Sequence, residues 1–107
     1  MKAKIYYWKE IKKWLLEVTT RRSFPTKEDI KKDYVQLPFT MEIEGKDELD
    51  HIFEQLNVGD NPLATTENQE WLKANEVCHT SMSVGDVIQL GDQYFVCAGV
   101  GWEEIEH

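Results

Sequence analysis

The segment DVIQLGDQYFVCA, residues 86–98, decides the fold of this chain. Two runs of β-forming residues flank Gly91 and Asp92, and a two-residue loop with glycine in first place is typical of a type II′ hairpin turn. The runs are apolar at consecutive positions, as at Val87 and Ile88, so both faces of the hairpin need cover. We therefore expect a small antiparallel sheet centred on this hairpin.

Patterns earlier in the chain predict the elements that complete the sheet and cover it. Residues 2–8 are rich in β-formers, and residues 39–43 alternate after Pro38, which favours an edge strand. Apolar residues at helical spacing and helix-start signals predict two main helices at 9–21 and 48–56 and two short helices at 27–34 and 67–74. These elements indicate an α+β fold.

For two of these helices, the sequence predicts which residues are buried and, in one case, how the helix is capped. In helix 48–56 the buried stripe is predicted to be Leu49, Ile52, Phe53 and Leu56. In helix 67–74, Thr66 and Gln69 have the spacing of a capping box, and Trp71 and Leu72 are the predicted buried residues.

Length and composition are typical of one soluble domain, residues 1–107. The chain has 107 residues, of which 41% are hydrophobic and 30% charged, enough apolar surface for one core. Its longest apolar stretches are about four residues, against roughly 20 for a membrane-spanning helix. With no signal-peptide pattern at the N-terminus, we expect a cytoplasmic protein that does not enter the membrane.

Catalytic and metal chemistry find little support in the sequence. Cys78, His79 and Cys97 lack the spaced pairs of ligands that zinc sites use, and Cys97 fits a buried strand position. No triad, nucleophile elbow or glycine-rich phosphate loop is present. We expect no metal, no cofactor and no catalytic residue.

Charge is the least ordinary property of the composition. Residues 1–32 carry ten basic and four acidic residues, a net +6, whereas residues 33–107 carry two basic and sixteen acidic residues, a net −14. An uneven distribution of this size favours a polarised surface. The leading hypothesis is a non-catalytic protein that binds another macromolecule, most simply a protein, through acidic residues that include Glu67, Glu70, Glu103 and Glu104.

Two alternatives remain open. A nucleic-acid-binding regulator would use the basic N-terminal strip, Lys9, Lys12, Lys13, Arg21 and Arg22. An enzyme would have its site near the two Val-Gly-Asp triplets, at 58–60 and 84–86. The polar residues around those triplets, Asn57, Asp60, Ser83 and Asp86, are most simply explained as partners of turn backbone groups.

Several segments together resemble a known family. Leu-Asn-Val-Gly-Asp-Asn-Pro at 56–62, Ser-Met-Ser-Val-Gly-Asp-Val-Ile at 81–88, Tyr-Phe-Val-Cys at 94–97 and Gly-Trp at 101–102 are similar to small phage- and plasmid-borne proteins and to the YodL-like domain. The resemblance covers about residues 48–105. It implies a mobile-element setting, in which small acidic proteins block host defence systems or mimic the charge of DNA.

Overall fold

The computed structural model describes residues 1–9, 27–57, 61–77, 80–82, 84–98 and 101–105. Five strands lie in these ranges: β1 (Lys2–Trp8), β2 (Tyr34–Glu42), β3 (Val87–Leu90), β4 (Gln93–Cys97) and β5 (Trp102–Glu104). Three α-helices accompany them: α1 (Lys27–Asp33), α2 (Leu49–Gln55) and α3 (Thr66–Ala74). Short 3₁₀ turns at Lys46–Glu48 and Pro62–Ala64 precede α2 and α3.

The strands form one antiparallel sheet in the order β2-β1-β3-β4-β5, so the predicted α+β fold is confirmed. The hairpin strand β3 is central, with Val87 opposite Val96 and Ile88 opposite Phe95. Gly91 has a φ of +59° and Asp92 does not share this positive φ, as the predicted type II′ turn requires. Elements from both ends of the sequence therefore meet in the middle of the sheet.

The sheet is covered on both faces, as the apolar pairs of the hairpin predict. One cluster, the first-face core, includes Ile88 and Phe95 and packs against α2 and α3. The second-face core includes Val87 and Val96 and packs against Ile30 of α1. Alternate residues of one hairpin thus serve two cores.

The edge strand β2 is longer than the sequence predicts. It begins at Tyr34, which the sequence pattern places in helix 27–34, and runs through Pro38 instead of starting at residue 39. Its pairing with β1 shifts at a bulge between Lys4 and Tyr6, opposite the segment that contains the proline. A residue without an N–H is tolerated in a bulge on an edge strand, so Pro38 interrupts the ladder without ending the strand.

The other helix predictions have mixed outcomes. Helix 9–21 lies outside the described residues. In α2, Leu49 and Ile52 are buried as predicted, and so is Leu56 just after the helix, but Phe53 is only half-buried. In α3, Leu72 is buried and Trp71 half-buried.

The predicted capping box at α3 is wrong by one residue. The N-cap is Thr65, whose hydroxyl accepts from the Asn68 N–H at 3.2 Å. The 3₁₀ turn ends at Ala64 and leaves Thr65 extended, at φ −71° and ψ 151°, which is the backbone conformation that an N-cap adopts. Among the described residues, no helix is long and apolar enough to cross a bilayer.

Candidate functional site

Two places in the fold bring polar and aromatic side chains together. The first is the segment that leads into β3, residues 80–82 and 84–86, here called the β3 entry. The Trp8 indole N–H donates to the Val84 carbonyl at 3.2 Å, and the Tyr34 hydroxyl donates to the Gly85 carbonyl. Asp86 is fully buried, and its carboxylate accepts from the Trp8 backbone N–H at 3.1 Å.

The other half of the β3 entry is held by amide side chains. Asn57 donates to the Met82 carbonyl at 3.3 Å, and Asn61 donates to the Thr80 carbonyl at the same distance. The side chain of Gln69, assigned from the sequence to a capping box, donates instead to the Leu63 carbonyl and to the Thr80 hydroxyl. These side chains bond to carbonyl groups that lie outside the strands and have no ladder partner. Their role is therefore structural.

Of the four polar residues predicted to bond to turn backbone groups around the Val-Gly-Asp triplets, the structure describes two. Asn57 and Asp86 serve the β3 entry from two sides, whereas Asp60 and Ser83 lie outside the described residues. A fully buried Asp86 reaches no substrate, so the second Val-Gly-Asp triplet gives the enzyme alternative no accessible group. The first triplet, 58–60, is also outside the described residues.

Two buried tyrosine hydroxyls that bond to the β3 entry have raised pKa values. Burial, and after it the negative charge of Asp86, raises the pKa of the Tyr7 hydroxyl far above its ordinary 10.0. The pKa of Tyr34 is raised in the same way, with smaller contributions from Asp29 and Asp33. Both hydroxyls are protonated donors at neutral pH, and Tyr7 donates to the Thr80 carbonyl at 2.9 Å.

The second place is a pair of open clefts that share Trp102, here called the Trp102 groove. Trp102 lies half-buried on β5, and its indole N–H donates to the Asp50 carboxylate of α2 at 2.9 Å. A first cleft of about 210 Å³ is lined by Asp50, Phe53, Cys97, Ala98, Gly101 and Trp102. A second cleft of about 300 Å³ is lined by Lys46, Asp47, Leu49, Phe95, Trp102 and Glu104.

Carboxylates outnumber ammonium groups in this groove. The two clefts together are lined by three carboxylates, Asp47, Asp50 and Glu104, and by one ammonium group, Lys46. In the described part of the chain, no salt bridge joins that lysine to any of them. The walls between the charges are aromatic: Phe53, Phe95 and Trp102. An aromatic floor with an acidic rim is suited to a cationic, partly apolar ligand.

Cys97 lines the first cleft but is a poor nucleophile. Its side chain is 5% exposed, and burial, followed by the charges of Asp86 and Asp50, raises the pKa of the thiol to about 11. The thiol is therefore neutral near pH 7. Within the described ranges, no three potential ligands lie together as a metal site would require, and Cys78 and His79 fall outside those ranges.

The four predicted partner-binding glutamates lie on two different elements. Glu67 and Glu70 are exposed one turn apart on α3. Glu103 and Glu104 are exposed on β5, where Glu104 lies opposite Phe95 on the groove face and Glu103 lies opposite Val96 on the other face. Only Glu104 lines the Trp102 groove.

Only Lys9 of the predicted basic strip belongs to the described residues. Lys12, Lys13, Arg21 and Arg22 lie outside the described residues, and Lys9 is half-exposed just after β1. The one lysine with an aromatic contact in the described residues is Lys27, whose ammonium lies 5.1 Å from the centre of the Tyr94 ring.

Sequence reasoning did not identify the Trp102 groove. Trp102 and Asp50 are 52 positions apart, and neither belongs to a motif that would predict their hydrogen bond. The available signals were a tryptophan followed by two glutamates at 103 and 104, and the acidic start of helix 48–56. Neither signal indicates that the two segments meet.

Comparison with known proteins gives one informative similarity. Over 60 residues the chain is 40% identical to the uncharacterized protein R785 of Acanthamoeba polyphaga mimivirus, a match that covers 56% of this chain. The chain spans 55% of the length of that viral protein. No protein-family model and no solved structure matches the chain. The resemblance to the YodL-like domain stays a prediction.

Proposed function

We propose that this chain is a non-catalytic binding protein whose Trp102 groove captures a basic segment of another protein. The observation that carries the proposal is the position of Trp102 between two clefts, with carboxylates on both sides and aromatic walls. Such a surface attracts a lysine or arginine side chain through charge and through the face of the indole.

The geometry favours binding over catalysis at this site. The thiol in the groove has a raised pKa, and the fully buried Asp86 lies out of reach. The groove also has the composition that interfaces favour, with a tryptophan at its centre and polar groups at its rim. The similarity to an uncharacterized viral protein supports only the mobile-element setting in this proposal.

Blocking a host defence system, including by mimicry of DNA charge, remains within this proposal. A defence protein that binds DNA presents basic segments, and a segment of this kind would fit into the acidic groove. The net charge of −8 and the net −14 of residues 33–107 support association with such a surface.

A labelled basic peptide tests the proposal by fluorescence anisotropy. The probe is a peptide of repeating valine–lysine–lysine triplets, compared with a valine–glutamate–glutamate peptide of the same length. We expect saturable binding of the basic probe alone. The double reversal Asp47→Lys/Glu104→Lys, at two carboxylates that line the second cleft, should weaken binding at least ten-fold, because it replaces attraction by repulsion at the groove.

The double reversal Glu67→Lys/Glu70→Lys is the matched control. It changes the net charge by the same amount on α3, away from β5. Equal loss in the two variants would indicate non-specific attraction to an acidic protein and would contradict a site at the groove.

A further inference from the structure

The edge strand β5 presents unpaired backbone groups beside the Trp102 groove. Ile105 donates its N–H to the Tyr94 carbonyl at 2.8 Å, and Ala98 donates to the Gly101 carbonyl at 3.0 Å. In an antiparallel ladder the residues that bond to the neighbour alternate. Residues 101, 103 and 105 therefore bond towards β4, and the N–H and C=O groups of Trp102 and Glu104 point outward.

Those outward groups make no hydrogen bond within the described part of the chain. β5 is the last strand of the sheet, and no hydrogen bond is made by the backbone of Trp102 or Glu104 on the outer side. The same two residues have their side chains in the groove. Backbone pairing groups and side-chain clefts thus lie together at one edge.

We propose that the partner segment binds as an added strand, pairing its backbone with Trp102 and Glu104 along the outer edge of β5. This inference rests on the proposed function and specifies its mode: an extended, lysine- or arginine-rich segment of another protein. Strand addition takes affinity from main-chain bonds and specificity from alternate side chains. Glu104 on the groove face and Glu103 on the opposite face select basic residues at adjacent positions of the added strand.

The charges at this edge favour a different protein over a second copy of this chain. Two β5 edges paired with each other would bring glutamates together, and like charges on paired strands are destabilising. A basic strand meets opposite charges at the same positions. The other edge, β2, carries Pro38 in its bulge, and a proline on an edge strand interferes with further pairing.

Hydrogen exchange gives a residue-specific test of strand addition with the valine–lysine–lysine peptide as probe. The amides of Trp102 and Glu104 should exchange at least ten-fold more slowly when the peptide is bound at saturation. The amide of Glu103, already bonded to β4, is the internal control and should change little. Equal protection of all three amides, or of none, would overturn strand addition.

A second probe separates this inference from the proposed function. The same peptide N-methylated at two adjacent residues keeps its charge but loses donors on both of its edges. We expect at least ten-fold weaker binding. If both peptides bind with equal affinity, the groove still captures a basic segment but strand addition is contradicted. If neither peptide binds, the proposed function is contradicted as well. Sedimentation of the protein alone should show a monomer. A dimer in which the Trp102 and Glu104 amides are protected from exchange would instead indicate that a second copy is the added strand.

Discussion

At the scale of single residues, the hairpin turn depends on the backbone freedom of Gly91. Its φ of +59° lies in the left-handed region, where an added Cβ is unfavourable. The Cβ of an alanine there would meet only Met1 Cε at 3.8 Å, an ordinary contact, so crowding adds little. Gly91→Ala should lower the free energy of unfolding by about 1 kcal/mol.

Gly45→Ala is the matched control for that measurement. Gly45 has an extended φ of 176°, and its added Cβ would meet nothing within 4 Å. Urea denaturation should show a change within about 0.5 kcal/mol for this variant. Equal costs for the two variants would contradict the turn assignment.

Residue-scale electrostatics predict that stability falls in alkali. The pKa values of Tyr7 and Tyr34 are raised in the folded protein, so both hydroxyls ionise more readily in the unfolded chain. Their contribution is fully present below the ordinary pKa of 10.0 and is lost as the pH rises above it, at about 1.4 kcal/mol per pH unit for each group.

Tyr34→Phe removes one of these groups and gives the check. At pH 7 the variant should be less stable by about 1 kcal/mol, because the hydrogen bond to Gly85 is lost. Between pH 10 and 11 its free energy of unfolding should fall less steeply with pH than that of the wild type. All other residues are common to the two proteins, so identical slopes would contradict a protonated Tyr34 at the β3 entry.

At the scale of elements, the start of α3 distinguishes two adjacent threonines. Thr65→Ala removes the hydroxyl that accepts from Asn68 and should cost about 1 kcal/mol. Thr66→Ala, at the first helical residue, should change stability by less than about 0.5 kcal/mol. Thermal melts of the two variants decide between Thr65 and Thr66, and a larger loss for Thr66 would restore the capping box.

The elements show which features the sequence predicts. The central hairpin follows from short-range information: alternation, a glycine in the turn and apolar residues on both faces. The end of α1 does not, because Tyr34 is 5% exposed in the second-face core and pairs with Trp8, contacts that outweigh its local helical pattern. The N-cap of α3 depends on where the preceding 3₁₀ turn ends.

The candidate site was predicted only in part for the same reason. Glu103 and Glu104 were identified from charge alone. Their relation to Asp50 and Trp102 is set by the packing of α2 beside β5, a contact between distant segments. The half-exposure of Phe53, predicted to be buried, has the same origin, because its side chain packs against the first-face core and also lines the first cleft.

At the scale of the whole molecule, charge should act mainly on the rate of association. Exposed charges are screened beyond roughly 8–10 Å at physiological salt, so binding of the basic probe should slow as salt is added. Glu67→Lys/Glu70→Lys should slow association more than it speeds dissociation, because charges away from the groove act before contact, and its total loss of affinity should stay below that of the groove reversal. Stopped-flow mixing measures both rates, and an association rate independent of salt would contradict electrostatic steering.

The most direct test of the central claim is an NMR titration that follows the tryptophan indole N–H signals, assigned by single Trp→Phe variants. Addition of the valine–lysine–lysine peptide should shift the Trp102 signal saturably, because its indole lies between the two clefts and bonds to Asp50. The Trp8 signal, whose indole donates to Val84 at the β3 entry, should stay in place. A Trp102 signal that does not move while the peptide binds elsewhere, or while single-stranded DNA binds and the peptide does not, would contradict the account.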